Sequence, residues 1–166
     1  MADENLPRDL QDVLERMIEP AFKLLDPKMT SDEARVELMT IGRQESGFKH
    51  RRQMNNGPAM GFWQFEEGGA VKGVMTHPAT QPYAAIVCNN LGVPFKKHDV
   101  WLALEHNDVL AAAFARLNLW WVPDPLPDTK DADAGWALYI EAWRPGKPHR
   151  DTWDAYHAEA RDAISL

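Results

Sequence analysis

Gln44-Glu45-Ser46-Gly47-Phe48, followed shortly by Ala59-Met60-Gly61-Phe62-Trp63-Gln64-Phe65, is where this chain changes character. Upstream, Val36, Leu38, Met39 and Ile41 recur at helical spacing. Glu45 lies four residues after Ile41, hence on a face shared with the core. Downstream, from Phe48 to Glu66, the periodicity fails. Asn55-Asn56-Gly57-Pro58 signals a turn, and Met60–Phe65 reads as a short strand. The stretch predicts a helix that runs out at Gly47 with a carboxylate at its end, then a small irregular β element over residues 48–66.

The rest of the pattern is helical. Leu10, Val13, Leu14, Met17, Ile18, Phe22 and Leu25 predict a helix over 8–25, with Pro20 kinking or dividing it. Thr30-Ser31-Asp32-Glu33 reads as a capping box, in which the Thr30 hydroxyl takes a free amide and Glu33 reaches back. Two short helices are expected over 67–79 and 82–92, the second closed by Gly92, and another over 98–105. Asn107 is placed to cap a long helix through Leu110, Phe114, Leu117 and Trp120. Pro123-Asp124-Pro125-Leu126-Pro127 is a rigid loop, and helices over 131–143 and 150–164 follow, divided by Arg144-Pro145-Gly146-Lys147-Pro148. No repeat or low-complexity tract interrupts the chain. The expectation is a mainly α fold: one domain over 1–166, with the N-terminal helix packed on it.

With 166 residues, 45% hydrophobic and 26% charged, the chain has the length and composition of an ordinary globular domain. A formal charge of −7 argues against nucleic acid and fits poorly with anionic membrane surfaces. The lone cysteine, Cys88, sits in an apolar run and reads as a small buried hydrophobe, which excludes an internal disulfide. The six His residues show no metal spacing, so neither metal nor cofactor is expected. The acidic N-terminal stretch Met1–Asp9 lacks the apolar core of a signal peptide, and no segment approaches membrane-spanning length.

Glu45-Ser46 at a helix end, followed by Ala59-Met60-Gly61-Phe62-Trp63-Gln64-Phe65, resembles the signature of lytic transglycosylases and their goose-type lysozyme relatives. Pro58 stands where the family has Gly. The resemblance implies a lysozyme-like fold. Its activity would be cleavage of the MurNAc–GlcNAc β-1,4 bond of peptidoglycan, leaving 1,6-anhydro-MurNAc ends. It implies Glu45 as catalytic acid/base, Ser46 as a residue that orients it, and Gln64 as a contact of substrate or of Glu45. Phe62 and Trp63 would line the sugar groove. Residues 107–117 resemble the family's central core helix. The family's Ala-Tyr-Asn-Ala-Gly run is matched only by Tyr139, with Ile140 in place of Asn; Tyr139 as a Glu45 partner and as a plain core residue both remain open.

A glycosidic oxygen leaves only when protonated, so the acid must be neutral near its working pH, a state that apolar surroundings favour. Hydrolysis by the common route adds a second carboxylate at roughly 5 to 9.5 Å. Transglycosylases manage without one, using the substrate's own N-acetyl and C6 hydroxyl groups. Residues 49–56, where goose-type lysozymes place an Asp, hold no acid here; only Glu66, Glu67 and Glu141 are candidates, each also readable as a surface charge. The balance favours a transglycosylase. A muramidase and a catalytically silent adaptor with the same fold are the alternatives.

Lys49-His50-Arg51-Arg52 reads as a solvated loop or as a contact for stem-peptide carboxylates. Among seven Trp residues, Trp63 is singled out for the groove because it lies inside the motif. Without an export signal, the resemblance places the protein as an endolysin released through a holin, or as a virion or secretion-system component delivered by other proteins.

Overall fold

The computed structural model describes residues 5–166; Met1–Glu4 of the acidic N-terminal stretch lie outside the described residues. The architecture is mainly helical, with one two-stranded antiparallel sheet. In chain order the helices are α1 (Leu10–Val13), α2 (Glu19–Leu24), α3 (Asp32–Glu45), α4 (Lys72–Thr76), α5 (Gln81–Asn90), α6 (Lys97–Leu104), α7 (Asp108–Trp120), α8 (Ala132–Trp143) and α9 (Arg150–Ala163). The strands β1 (Ala59–Met60) and β2 (Phe65–Glu66) lie between α3 and α4.

The predicted N-terminal helix is divided, and Pro20 explains how. Proline has no N–H and its ring crowds the preceding turn, so the backbone widens over Leu14–Ile18 into a π-turn, with Glu19 N–H bonding back to Leu14 O. The expected capping box at α3 is replaced by a single side-chain cap one residue later, since Ala34 stands where the reciprocal Glu would be needed. Ser31, not Thr30, is the N-cap, and its hydroxyl accepts from Ala34 N–H at 3.1 Å. Asn107 caps α7 as expected, accepting from Leu110 N–H at 3.0 Å. From Leu110 to Leu119 every residue of α7 is buried, so this helix is the axis around which the others pack. Cys88 is buried in α5, and burial pushes its thiol up to about 11.

Met60–Phe65 is a hairpin rather than one strand. Ala59 pairs with Glu66 and Met60 with Phe65, and the chain reverses between them with Gly61 and Gln64 at positive φ. Gly61 is required there: φ is +76°, and a Cβ would lie 2.6 Å from Leu104 O at the end of α6. The hairpin is fastened to α3 by Phe48. Gly47 ends the helix at φ +64°, its N–H bonding to Gly42 O and Arg43 O at 3.1 Å each, and Phe48 then folds back over Gly42. A Cβ on Gly42 would meet the Phe48 ring at 2.1 Å. The same ring packs edge-on against Phe62 (5.6 Å) and Trp63 (5.4 Å). The Glu-Ser-Gly-Phe motif is thus a helix stop whose aromatic residue welds the β element to the helix end.

Helix α9 runs along α3, held by Arg43, which pairs with Glu159 at 3.0 Å and lies over the Tyr156 ring. Gln44 ties the loop before α9 to the end of α3: its amide donates to His149 O (2.8 Å) and accepts from the Thr152 hydroxyl (2.9 Å). These bonds fix the last turn of α3 just before Glu45. No helix of the described residues is long and apolar enough to cross a membrane.

Candidate active site

Glu45 is the last residue of α3, half-buried at the wall of a cleft of about 320 Å³. Tyr139, in the middle of α8 and 3% exposed, donates its hydroxyl to Glu45 Oε1 at 2.7 Å. The tyrosine ring is itself fixed, stacked on Trp153 at 5.2 Å with an interplanar angle of 15° and flanked by Trp136. Burial pushes the Glu45 carboxyl up to about 7, because the charged form loses water; the Tyr139 hydroxyl works the other way by stabilising the carboxylate. The Tyr139 hydroxyl is in turn held above its ordinary value by burial and by the neighbouring carboxyl. Of the two sequence readings of Tyr139, core residue and Glu45 partner, the geometry joins both in one side chain.

The cleft opposite Glu45 is built from the β element and the loop after α8. Gln53, Ala59, Gln64 and Glu66 line it on one side, and Trp143, Arg144, Lys147 and His149 on the other. Gln64 faces the cleft as expected, but its amide nitrogen donates to Gly61 O at 2.9 Å rather than to Glu45. Positive φ at Gln64 (55°) turns the chain so that this side chain faces the cleft while its neighbours face the core.

Three expectations need correction. Phe62 and Trp63 do not line the groove: they are 0% and 1% exposed, and Trp63 spends its indole N–H on Leu38 O at 2.9 Å. The aromatic wall is Trp143, whose N–H donates to Trp63 O at 2.9 Å, so the motif tryptophan supports the groove tryptophan through its backbone. Ser46 makes no bond to Glu45. Its hydroxyl donates to Gly42 O (3.2 Å) and accepts from Phe48 N–H (3.0 Å), so it shapes the turn. The basic segment 49–52 is not at the cleft either. Arg51 is buried, paired with Asp108, donating to Asn5 O at 3.1 Å and lying over the Phe62 ring at 4.5 Å, while Lys49 borders a different depression beside Arg43 and Glu159.

The cations that do border the cleft are Arg144 and Lys147, with the His149 ring beside them. Sequence reasoning treated this Pro-Gly loop only as a divider. Its two cations beside Pro-Gly-x-Pro were the available signal. Arg144 sits in the left-handed region (φ 50°, ψ 55°), which ends α8 sharply and sends the loop across the cleft mouth.

Of the three proposed second carboxylates, only Glu66 lines the cleft with Glu45. Glu67 pairs with His98 at 2.8 Å on another face, and Glu141 is exposed and lies outside the cleft lining. A buried carboxyl that sequence reasoning missed lies in the same helix: Glu37 is 2% exposed, and its Oε1 has no hydrogen-bond partner among the described residues. No group of three or more His, Cys, Asp or Glu among the described residues is arranged to hold a metal ion. In comparisons with known proteins, no family model, no curated protein and no solved structure matches this chain.

Proposed function

We propose that this protein cleaves the MurNAc–GlcNAc β-1,4 bond of peptidoglycan as a lytic transglycosylase, with Glu45 as its single acid/base. One observation carries the reading: a carboxyl titrating at about 7, hydrogen-bonded by Tyr139 and open to a cleft, at the motif position the family resemblance assigns to the acid. In the neutral form Glu45 protonates the leaving C4 oxygen as the C1–O bond breaks, through an oxocarbenium-like transition state. The substrate's C6 hydroxyl then attacks C1 and returns its proton to Glu45, which regenerates the acid and closes the 1,6-anhydro ring. Arg144 and Lys147 supply positive charge to the carboxylates of the stem peptides, and Trp143 offers an aromatic edge to a sugar ring. A wall-directed enzyme of a phage or secretion system, delivered by other proteins, is the setting that suits the reading.

The deciding experiment is mass spectrometry of soluble products from purified peptidoglycan, with wild type and Glu45→Gln. Anhydro-muropeptides from wild type alone are expected. Reducing ends instead would mean hydrolysis, the second reading, which the presence of Glu66 in the same cleft favours; Glu66→Gln would then abolish activity. Glycan binding that is equal in wild type and Glu45→Gln, with no products from either, would leave a silent adaptor.

A further inference from the structure

A cavity of about 830 Å³ lies apart from the Glu45 cleft and shares no lining residue with it. It lies where the start of α3, the end of α7 and the proline-rich loop after α7 meet. Its inner wall holds Arg116, in the middle of the most buried helix and 3% exposed. A guanidinium offers five N–H donors and keeps its charge near neutral pH. Here Nε donates to Met29 O at 2.8 Å, Nη1 is buried with no partner, and no carboxylate among the described residues forms an ion pair with it. The guanidinium also lies over the Trp120 ring at 5.4 Å, which Lys28 approaches at 5.6 Å. Burial pushes the guanidinium down to about 10, so it remains a cation. A buried charge left without a counter-charge is costly to the fold, and folds retain such groups where something else supplies the partner.

The mouth of the cavity has the opposite character. Asp124 and Asp128, both exposed, stand on the loop side, and Glu33 adds a third carboxylate against the single ammonium of Lys28. A multiply charged anion such as phosphate would face these carboxylates on its way to Arg116. A molecule with a carboxylate at one end and an ammonium at the other matches both. The guanidinium fork fits a planar carboxylate in a bidentate manner, and the volume lies within the range of small-ligand sites. We propose that this cavity binds a zwitterionic amino acid or short peptide, with its carboxylate on Arg116 and its ammonium beside Asp124 and Asp128. The site is independent of the Glu45 chemistry.

The test uses the full-length wild type and four probes: the dipeptide alanyl-leucine, its C-terminal amide, its N-acetyl form, and inorganic phosphate. Binding is read from the Arg116 Nε–H and Trp120 indole NMR signals. Saturable shifts are expected with the dipeptide, with affinity at least about tenfold weaker for the amide and for the acetylated form, the loss of one charged contact. Arg116→Gln should weaken the dipeptide by a similar factor, and the probe comparison on wild type stands even if that variant folds poorly. No saturation by about 10 mM would overturn the proposal, as would equal binding of the amide or the acetylated form. Phosphate binding as tightly as the dipeptide would also overturn it.

Discussion

Helix α3 carries two carboxyls pushed upward by burial, and they have opposite characters. Glu37, near the helix middle, is sealed: it faces Gly135 of α8, where an added Cβ would lie 2.8 Å from Oε2, and its Oε1 has no partner among the described residues. Burial alone holds it well above the ordinary carboxylate range. Glu45 has the same cause acting on it, but it also has Tyr139 to orient it and a cleft to act into. A raised proton affinity therefore does not make an acid catalyst. Access and a fixed donor at the carboxyl separate the two: the donor comes from α8, and the cleft from the β element and the loop after α8.

Substitutions can break or sharpen that contrast. The largest effect is on rate. Glu45→Gln should cut peptidoglycan cleavage by about 10²–10⁴-fold, while Glu37→Gln leaves it within a few-fold, measured as soluble product release under identical conditions. Equal losses at both positions would erase the distinction. In wild type the rate should also fall above about pH 7, where Glu45 loses the proton it must donate.

Stability against pH should separate the same pair. The folded protein holds the Glu45 proton up to about 7, whereas the unfolded chain releases it near the ordinary carboxylate value of 4.5. This raised affinity costs nothing below pH 4.5, and the folded state loses stability as pH rises from there to about 7. Glu45→Gln should therefore be more stable than wild type at pH 8 by about 2 kcal/mol, less than the roughly 3 kcal/mol of the full displacement because the cleft admits water. The gain should vanish near pH 4, as chemical denaturation at the two pH values can show. Glu37→Gln should give a gain of the same sign, because burial raises that carboxyl too, and the two gains should add, since the residues stand roughly 12 Å apart along the helix.

Packing at the sealed carboxyl gives a further contrast. Gly135→Ala should destabilise by about 1–3 kcal/mol through overpacking against Glu37 and Trp153. Most of that cost should disappear in a Glu37→Ala background, read as thermal midpoints in a double-mutant cycle. The smallest effect is at the open carboxyl. Tyr139→Phe should cost about 1 kcal/mol and move the alkaline limb of activity upward by most of a pH unit, because the hydroxyl now favours the carboxylate. A tyrosine that served only packing would leave that limb in place.

Much of this was legible in the residues. Periodicity located α3, α7, α8 and α9, and Asn107 marked the start of its helix, because caps and apolar stripes are local properties. Glu45 stood out through its motif, and Tyr139 through one matching residue. The misreadings share a cause. Phe62 and Trp63 were assigned to a groove because they are aromatic and lie near Glu45 in sequence, yet a hairpin with positive φ at Gly61 and Gln64 turns them inward and leaves Gln64 facing the cleft. Arg51 was grouped with a solvated basic run, yet Asp108 at the start of α7 draws it inside. Glu37 and Arg116 carry no local signal of burial, because only the packing of neighbouring helices covers them.

By itself the sequence determined the helical character of the chain, the stop at Gly47 and the carboxyl placed at that stop, since each depends on residues within a turn or two. Only the tertiary structure decided which groups meet that carboxyl. Tyr139, Trp143 and the Arg144–His149 loop come from the far end of the chain, brought there by packing of α8 and α9 against α3 and α7. Which of two aromatic neighbours is core and which is wall, and which of two cations is paired and which is left over, depends on the burial that this packing imposes.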